Sequence, residues 1–126
     1  MKKIINTKDA PAPIGPYSQA VFIDDTLYIS GQIALNPENG QLIQDNIIEE
    51  TRRVMKNLEA VLKAAGLNFT HVVKTTIFLS NMSHFASVNE VYGASFKENF
   101  PARETVQAAG LPKGVNVEIS MIAVKE

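Results

Sequence analysis

The sequence predicts one α+β domain spanning residues 1–126, with two helices on one face of a sheet. Short runs rich in β-branched residues alternate apolar and polar positions, and two longer runs carry apolar residues at helical spacing. Gly, Pro, Asn and Asp separate these runs. The order that results is β-β-α-β-α-β-β, and such an order packs as helices over a sheet.

Pro11, Pro13 and Pro16 bracket Asp9–Gly15 and force an extended segment. Tyr17–Ile23 and Thr26–Ser30 read as strands of a hairpin that turns at Asp24-Asp25. A loop follows at Asn36–Gly40. Asn46 then caps a helix, with Glu49 three residues on completing a capping box. Ile47, Thr51, Val54, Leu58, Val61, Leu62 and Ala65 form its apolar face, and Gly66 ends it. Glu50, Arg53, Lys56 and Lys63 fall on the other face, which should be solvated.

His71–Leu79 reads as a central strand. Asn81–Ser83 offers a cap for a second helix, whose stripe is Phe85, Val88, Tyr92, Phe96 and Phe100. Gly93 weakens it, and Pro101 lies just beyond. Glu104–Ala108 and Val115–Lys125 are the last strands, read as a hairpin across Gly110–Gly114. Val72, Thr76 and Phe78 on one parity of His71–Leu79 match Val73, Thr75, Ile77 and Leu79 on the other. A strand apolar on both sides needs cover on both. Two helices cover one face, so we expect other subunits to cover the second.

Pairing Gly110 with Val115 sets Val106 opposite Ile119 and Ala108 opposite Val117, which matches apolar with apolar. The same register puts Arg103, Thr105 and Gln107 on the side of Glu118 and Ser120. Covered polar groups are costly unless paired or used. An arginine fork suits a carboxylate ligand, and a nearby glutamate suits a general base. From pattern alone, such a pair is more often a cross-strand contact than a site. Tyr17 reads more readily as a packed loop aromatic than as a ligand contact, and Asn89 more readily as an exposed helix residue. Ser30-Gly31 reads as a strand end, where glycine supplies backbone freedom.

Composition narrows the function classes. The chain has no cysteine, which removes disulfides, thiol catalysis and thiolate metal sites. His71 and His84 have no partner at ligand spacing, so no metal site is assigned. Twelve basic and thirteen acidic residues give a net charge of -1, with no basic cluster to neutralise phosphates. Nucleic acid is therefore not an expected partner. No signal peptide and no apolar run near the ~20 residues of a membrane span are present, so a cytoplasmic protein without membrane contact is expected.

At these residues a family becomes recognisable. Ile14-Gly15-Pro16-Tyr17-Ser18-Gln19-Ala20 resembles the N-terminal signature of the RidA/YjgF family. Tyr28–Ile33 resembles its SGQI segment, Val73–Leu79 its VVKTTVFL strand, and Phe85–Tyr92 its FA-x-VN-x-xY helix. Pro101-Ala102-Arg103, Leu111-Pro112-Lys113, Val117-Glu118-Ile119 and Ile122-Ala123 resemble its C-terminal signature. The matches are collinear and cover essentially the whole chain.

The resemblance implies a chorismate-mutase-like fold with a mixed sheet, assembled as a homotrimer with sites between subunits. It implies hydrolysis of 2-aminoacrylate-derived enamines and imines (2-iminopropanoate, 2-iminobutanoate) to 2-keto acids and ammonia, with no cofactor. It implies that Arg103 binds the substrate carboxylate and Glu118 places or activates water. Tyr17, Ser30, Gly31 and Asn89 would line the pocket, and the backbone near Thr105 would contribute contacts. Glu104 stands where the family often has a small residue. By the parity above, it points to the helix side or to solvent. Thr105 stands where the family often has cysteine. A non-catalytic protein that binds a keto acid through Arg103 is the alternative; an endoribonuclease or translation inhibitor is a third reading, disfavoured by charge.

Overall fold

The computed structural model describes residues 1–126. Its strands are β1 (Lys3–Ile5), β2 (Ala20–Ile23), β3 (Thr26–Gln32), β4 (Val72–Leu79), β5 (Ala102–Gln107) and β6 (Val117–Val124). Its helices are α1 (Ile47–Ala64) and α2 (Phe85–Gly93). The sheet is mixed, in the order β1-β2-β3-β6-β4-β5. It confirms the α+β class and adds β1, a short edge strand too brief to show a pattern.

The hairpin β2–β3 turns where the Asp-Asp pair predicts, with Ile23 opposite Thr26 and Asp24 at a φ of 50°. Asn46 caps α1 by accepting from the Glu49 N–H at 2.9 Å. The capping box is only half formed, because the Glu49 carboxylate pairs with Arg52 instead. Gly66, at φ 78°, ends the helix in the left-handed conformation that glycine adopts without strain. The charged face of α1 is not uniformly solvated: Glu50 is fully buried and Arg53 half-buried. α2 stops at Gly93, where no side chain helps to extend the helix. Phe96 and Phe100 continue the apolar stripe outside it, with ring centroids 4.9 Å for Tyr92–Phe96 and 6.3 Å for Phe96–Phe100.

The core lies between the helices and one sheet face. Val54, Leu58, Val61 and Leu62 of α1 meet Leu27, Ile77, Leu79, Ile119 and Met121 of the sheet. All of these are essentially inaccessible to solvent. The opposite face carries Tyr28, Thr76, Phe78, Val106, Ser120 and Ile122 with nothing over it; Tyr28 is 50% and Val106 44% exposed.

The expected C-terminal hairpin does not form. β5 pairs parallel with β4, and β6 runs antiparallel between β3 and β4. The β4–α2–β5 unit is a crossover, and a crossover brings the chain back parallel to the strand it left. This leaves β5 on the edge, where most of its residues are exposed. β6 goes to the centre and buries Val117, Ile119, Met121 and Ala123 on one side. Val106 is therefore not opposite Ile119; it lies beside Phe78 on the open face.

Candidate active site

The pairing of β4 with both neighbours separates the predicted site residues. Thr75 and Ile77 neighbour Arg103 and Thr105, and they point to the helix side. Thr76 and Phe78 point to the open face, and Glu118 and Ser120 lie beside them. Arg103 and Thr105 are thus on the opposite face of the sheet from Glu118, contrary to the hairpin register. Gln107 goes with Arg103. Glu104 takes the open face, exposed to solvent, the second of the two placements its parity allowed. There it accepts from the Thr76 hydroxyl and pairs with Lys74 at 3.2 Å. The Thr76 bond, then Lys74, lowers its pKa.

On the helix side, Arg103 reaches from the edge strand towards α2. Its Nη1 donates to Asn89 Oδ1 at 2.6 Å. Its guanidinium carbon sits 5.3 Å from the Tyr92 ring centroid and 5.7 Å from that of Phe85. Phe85, Asn89 and Tyr92 are spaced i, i+4, i+7, so one helical face supplies two rings and a carbonyl to hold one cation. The Tyr92 hydroxyl donates to Thr75 Oγ1 at 2.9 Å. Burial raises the Tyr92 pKa, while the Thr75 bond and the Arg103 charge oppose the rise. Phe100, Pro101 and Gly93 complete a recess of about 320 Å³ beside Arg103. The guanidinium has five N–H donors, and Asn89 occupies one side of it. Thr105 Oγ1 is buried without a hydrogen-bond partner.

On the open side, a cavity of about 380 Å³ is lined by Tyr17, Ser30, Gly31, Ile33, Pro112 and Glu118, among others. The Tyr17 hydroxyl accepts from the Ile14 N–H at 3.3 Å, and its own N–H donates to the Gly15 carbonyl at 2.8 Å, folding the segment into a tight turn. The Ser30 hydroxyl donates to the Ser18 carbonyl at 2.6 Å, tying that turn to β3. The β3–β6 register slips between Ile29 and Gln32, so Ser30 and Gly31 form a bulge. A Cβ at Gly31 would lie 2.0 Å from Glu118 Oε2 and 2.9 Å from its Cδ. Glycine is there to make room for this carboxylate rather than for backbone freedom. Burial alone raises the Glu118 pKa.

Buried polar side chains hold this cavity from behind. Gln19 accepts from the Thr7 N–H and donates to the carbonyls of Thr7, Ala10 and Pro11, which fixes the N-terminal wall. Asn57 of α1 donates to the carbonyls of Ile33 and Leu35 at 3.0 Å each, and accepts from Arg53. Sequence reading missed both, as it missed the roles of Phe85 and Tyr92. Asn57 was not on the predicted apolar face, and Gln19 was visible only as a letter of the signature. No group of three His, Cys, Asp or Glu side chains is placed to hold a metal. No helix is long and apolar enough to cross a membrane.

With this geometry in place, comparison with known proteins identifies the family. The family model described as Endoribonuclease L-PSP matches residues 7–125. The chain belongs to this family, the RidA/YjgF family of its motifs. The human 2-iminobutanoate/2-iminopropanoate deaminase is 50% identical over 125 residues, covering 99% of this chain and 91% of that protein. Among solved structures, RidA from the Antarctic bacterium Psychrobacter has a TM-score of 0.94 at 42% identity, covering 98% of this chain and 99% of that one. E. coli TdcF with bound serine has a TM-score of 0.93 at 38% identity, with the same coverage. RidA-family relatives thus share its architecture over nearly their whole length.

Proposed function

We propose that this chain is a hydrolytic deaminase of small 2-imino acids, working at sites formed between subunits of a homotrimer. The observation that carries the reading is the division of the site. A cation with free donors lies on the helix side, and a half-buried carboxylate of raised pKa lies on the open side. The exposed apolar residues Tyr28 and Val106 on the open face favour a neighbour there. A neighbour that docks its β5 edge near the Glu118 cavity unites the two halves. The human relative named a 2-iminobutanoate/2-iminopropanoate deaminase supports the reaction, and the serine bound to TdcF supports a small amino-acid-like ligand.

The chemistry follows from these groups. Arg103 holds the substrate carboxylate by two parallel N–H bonds, with Tyr17, Ser30, Gly31, Asn89 and Thr105 around it. An enamine such as 2-aminoacrylate first takes a proton at C3 and becomes the iminium. Water adds to C2 while Glu118 takes its proton, and the C=N π electrons move to nitrogen. Glu118 passes that proton to the amine; it then takes the hydroxyl proton as the oxygen forms the C=O bond and the C–N bond breaks, so a 2-keto acid and ammonia leave. Atoms balance without a cofactor. Uncatalysed imine hydrolysis is fast, so orientation and a well-placed base are sufficient help.

The alternative is a regulatory protein that binds a keto acid through Arg103 without turnover. Glu118→Gln separates the two, because it spares carboxylate binding and removes the base. The direct test couples a serine/threonine dehydratase to this protein and follows imine decay. Wild type accelerates decay over buffer and Arg103→Ala does not; equal rates in all three reject the proposal.

A further inference from the structure

Glu50 is the one carboxylate in the chain that is fully buried, and it has no part in the reaction described above. Glu50 lies in the first turn of α1, where a carboxylate complements the helix dipole. That preference does not require burial, since the neighbouring Glu49 satisfies it near the surface. Both Glu50 oxygens go instead to a single distant residue. Oε2 accepts from the Asn116 backbone N–H at 2.8 Å, and Oε1 accepts from Asn116 Nδ2 at 3.0 Å.

Asn116 is the point where the long connection from β5 enters β6, two residues before Glu118. Its remaining groups are also engaged. Asn116 Oδ1 accepts from the Ser80 hydroxyl, and its carbonyl accepts from the Ser80 N–H, each at 2.9 Å. Glu50 therefore joins α1 to the end of β4 and the start of β6 through one side chain. Downstream, β6 carries Glu118 into contact with Gly31, where the clearance leaves no slack. Upstream, the same connection carries Pro112 to the cavity rim.

We propose that Glu50 is a positioning residue for Glu118: acting through Asn116, it sets where β6 begins and so where the Glu118 carboxylate lies in the cavity. The proposal rests on Glu118 being the group that handles water. Glu50→Gln sets donor against donor at the Asn116 side-chain amide, which is relieved only if Asn116 turns its amide over and the Ser80 hydroxyl changes from donor to acceptor, so the link is disturbed either way. The paired change Glu50→Gln with Asn116→Asp restores every bond: the Gln Oε accepts the backbone N–H, its Nε2 donates to one Asp oxygen, and Ser80 donates to the other.

The experiment measures kcat, KM, melting temperature and the Glu118 carboxyl titration by 13C NMR for both variants, with Glu118→Gln and Asn116→Ala alongside. Glu50→Gln should lower kcat about tenfold or more, since small misplacements of a reacting group cost that much. KM should stay within about twofold, because Arg103 sits on the other face. Released from its packed position, Glu118 should titrate closer to an ordinary carboxylate, and the double variant should recover both kcat and titration. Wild-type kcat and Glu118 titration in Glu50→Gln overturn the proposal. So does a double variant that melts like wild type but stays impaired. If Glu50→Gln does not fold, Asn116→Ala, which keeps the backbone bond to Glu50, decides by the same readouts. Full turnover by Glu118→Gln would instead reject the role of Glu118 itself, and the Glu118 titration would still decide whether Glu50 positions it.

Discussion

Gly31 and Glu118 meet across the β3–β6 bulge with no space for a β-carbon between them: at position 31 it would lie 2.0 Å from Glu118 Oε2. The bulge and the glycine bring backbone against carboxylate, and they hold that carboxylate half out of water. Gly31→Ala should therefore displace Glu118 while the strand still pairs, because the obstruction is a side-chain end and not backbone. The expected outcome is a loss of kcat of about a hundredfold, the usual scale for a general base, with a melting temperature close to wild type. Steady-state kinetics and a thermal melt check it.

Glu118 also sets a pH dependence. Its folded pKa is raised by burial, so the base form is lost as pH falls through a value above the ordinary carboxylate range. The acid limb of kcat/KM, which reports the free enzyme, should lie there and disappear in Glu118→Gln. The stability sign is the reverse of that for a salt-bridged carboxylate. The folded state binds this proton more tightly than the unfolded chain, so stability is lost as pH rises from the unfolded to the folded pKa. Glu118→Gln should then be at least as stable as wild type at neutral pH, as denaturant titration at two pH values will report.

Arg103 is held by Asn89 on one side and by two aromatic rings. Lysine keeps the charge but loses the planar fork and its stacking. Arg103→Lys should weaken 2-keto acid binding about ten- to a hundredfold, the equivalent of one charged hydrogen bond. Calorimetric titration with 2-ketobutanoate measures this directly.

Tyr92 divides its work between a ring under Arg103 and a hydroxyl on Thr75. Tyr92→Phe keeps the ring and leaves the buried Thr75 hydroxyl without that partner. We expect a stability loss of about 1–3 kcal/mol with KM nearly unchanged. Tyr92→Leu, which also removes the ring, should raise KM.

Much of this was legible from the chain. Asn46 and Gly66 marked the ends of α1 because caps are local chemistry, and the Asp24-Asp25 turn placed the first hairpin for the same reason. The family motifs carried the candidate site residues. Strand order was not legible: Val106 and Ala108 match Ile119 and Val117 in pattern as well as β4 does, and alternation does not name a partner. Only the β4–α2–β5 crossover decides it, and that error put Arg103 and Glu118 on one face. Glu50 and Asn57 escaped notice because a buried polar residue on a helix looks like a solvated one until its distant partner is known.

The central claim is that Arg103 of one subunit works with Glu118 of another. Co-expression of Arg103→Ala and Glu118→Gln chains in equal amounts tests it most directly. Each variant alone should be nearly inactive. Over all trimers assembled at random from the two chains, about a quarter of the interfaces would combine an intact Arg103 from one chain with an intact Glu118 from its neighbour, and deaminase activity should return to about that fraction of wild type. A mixture no more active than its parents would contradict the account.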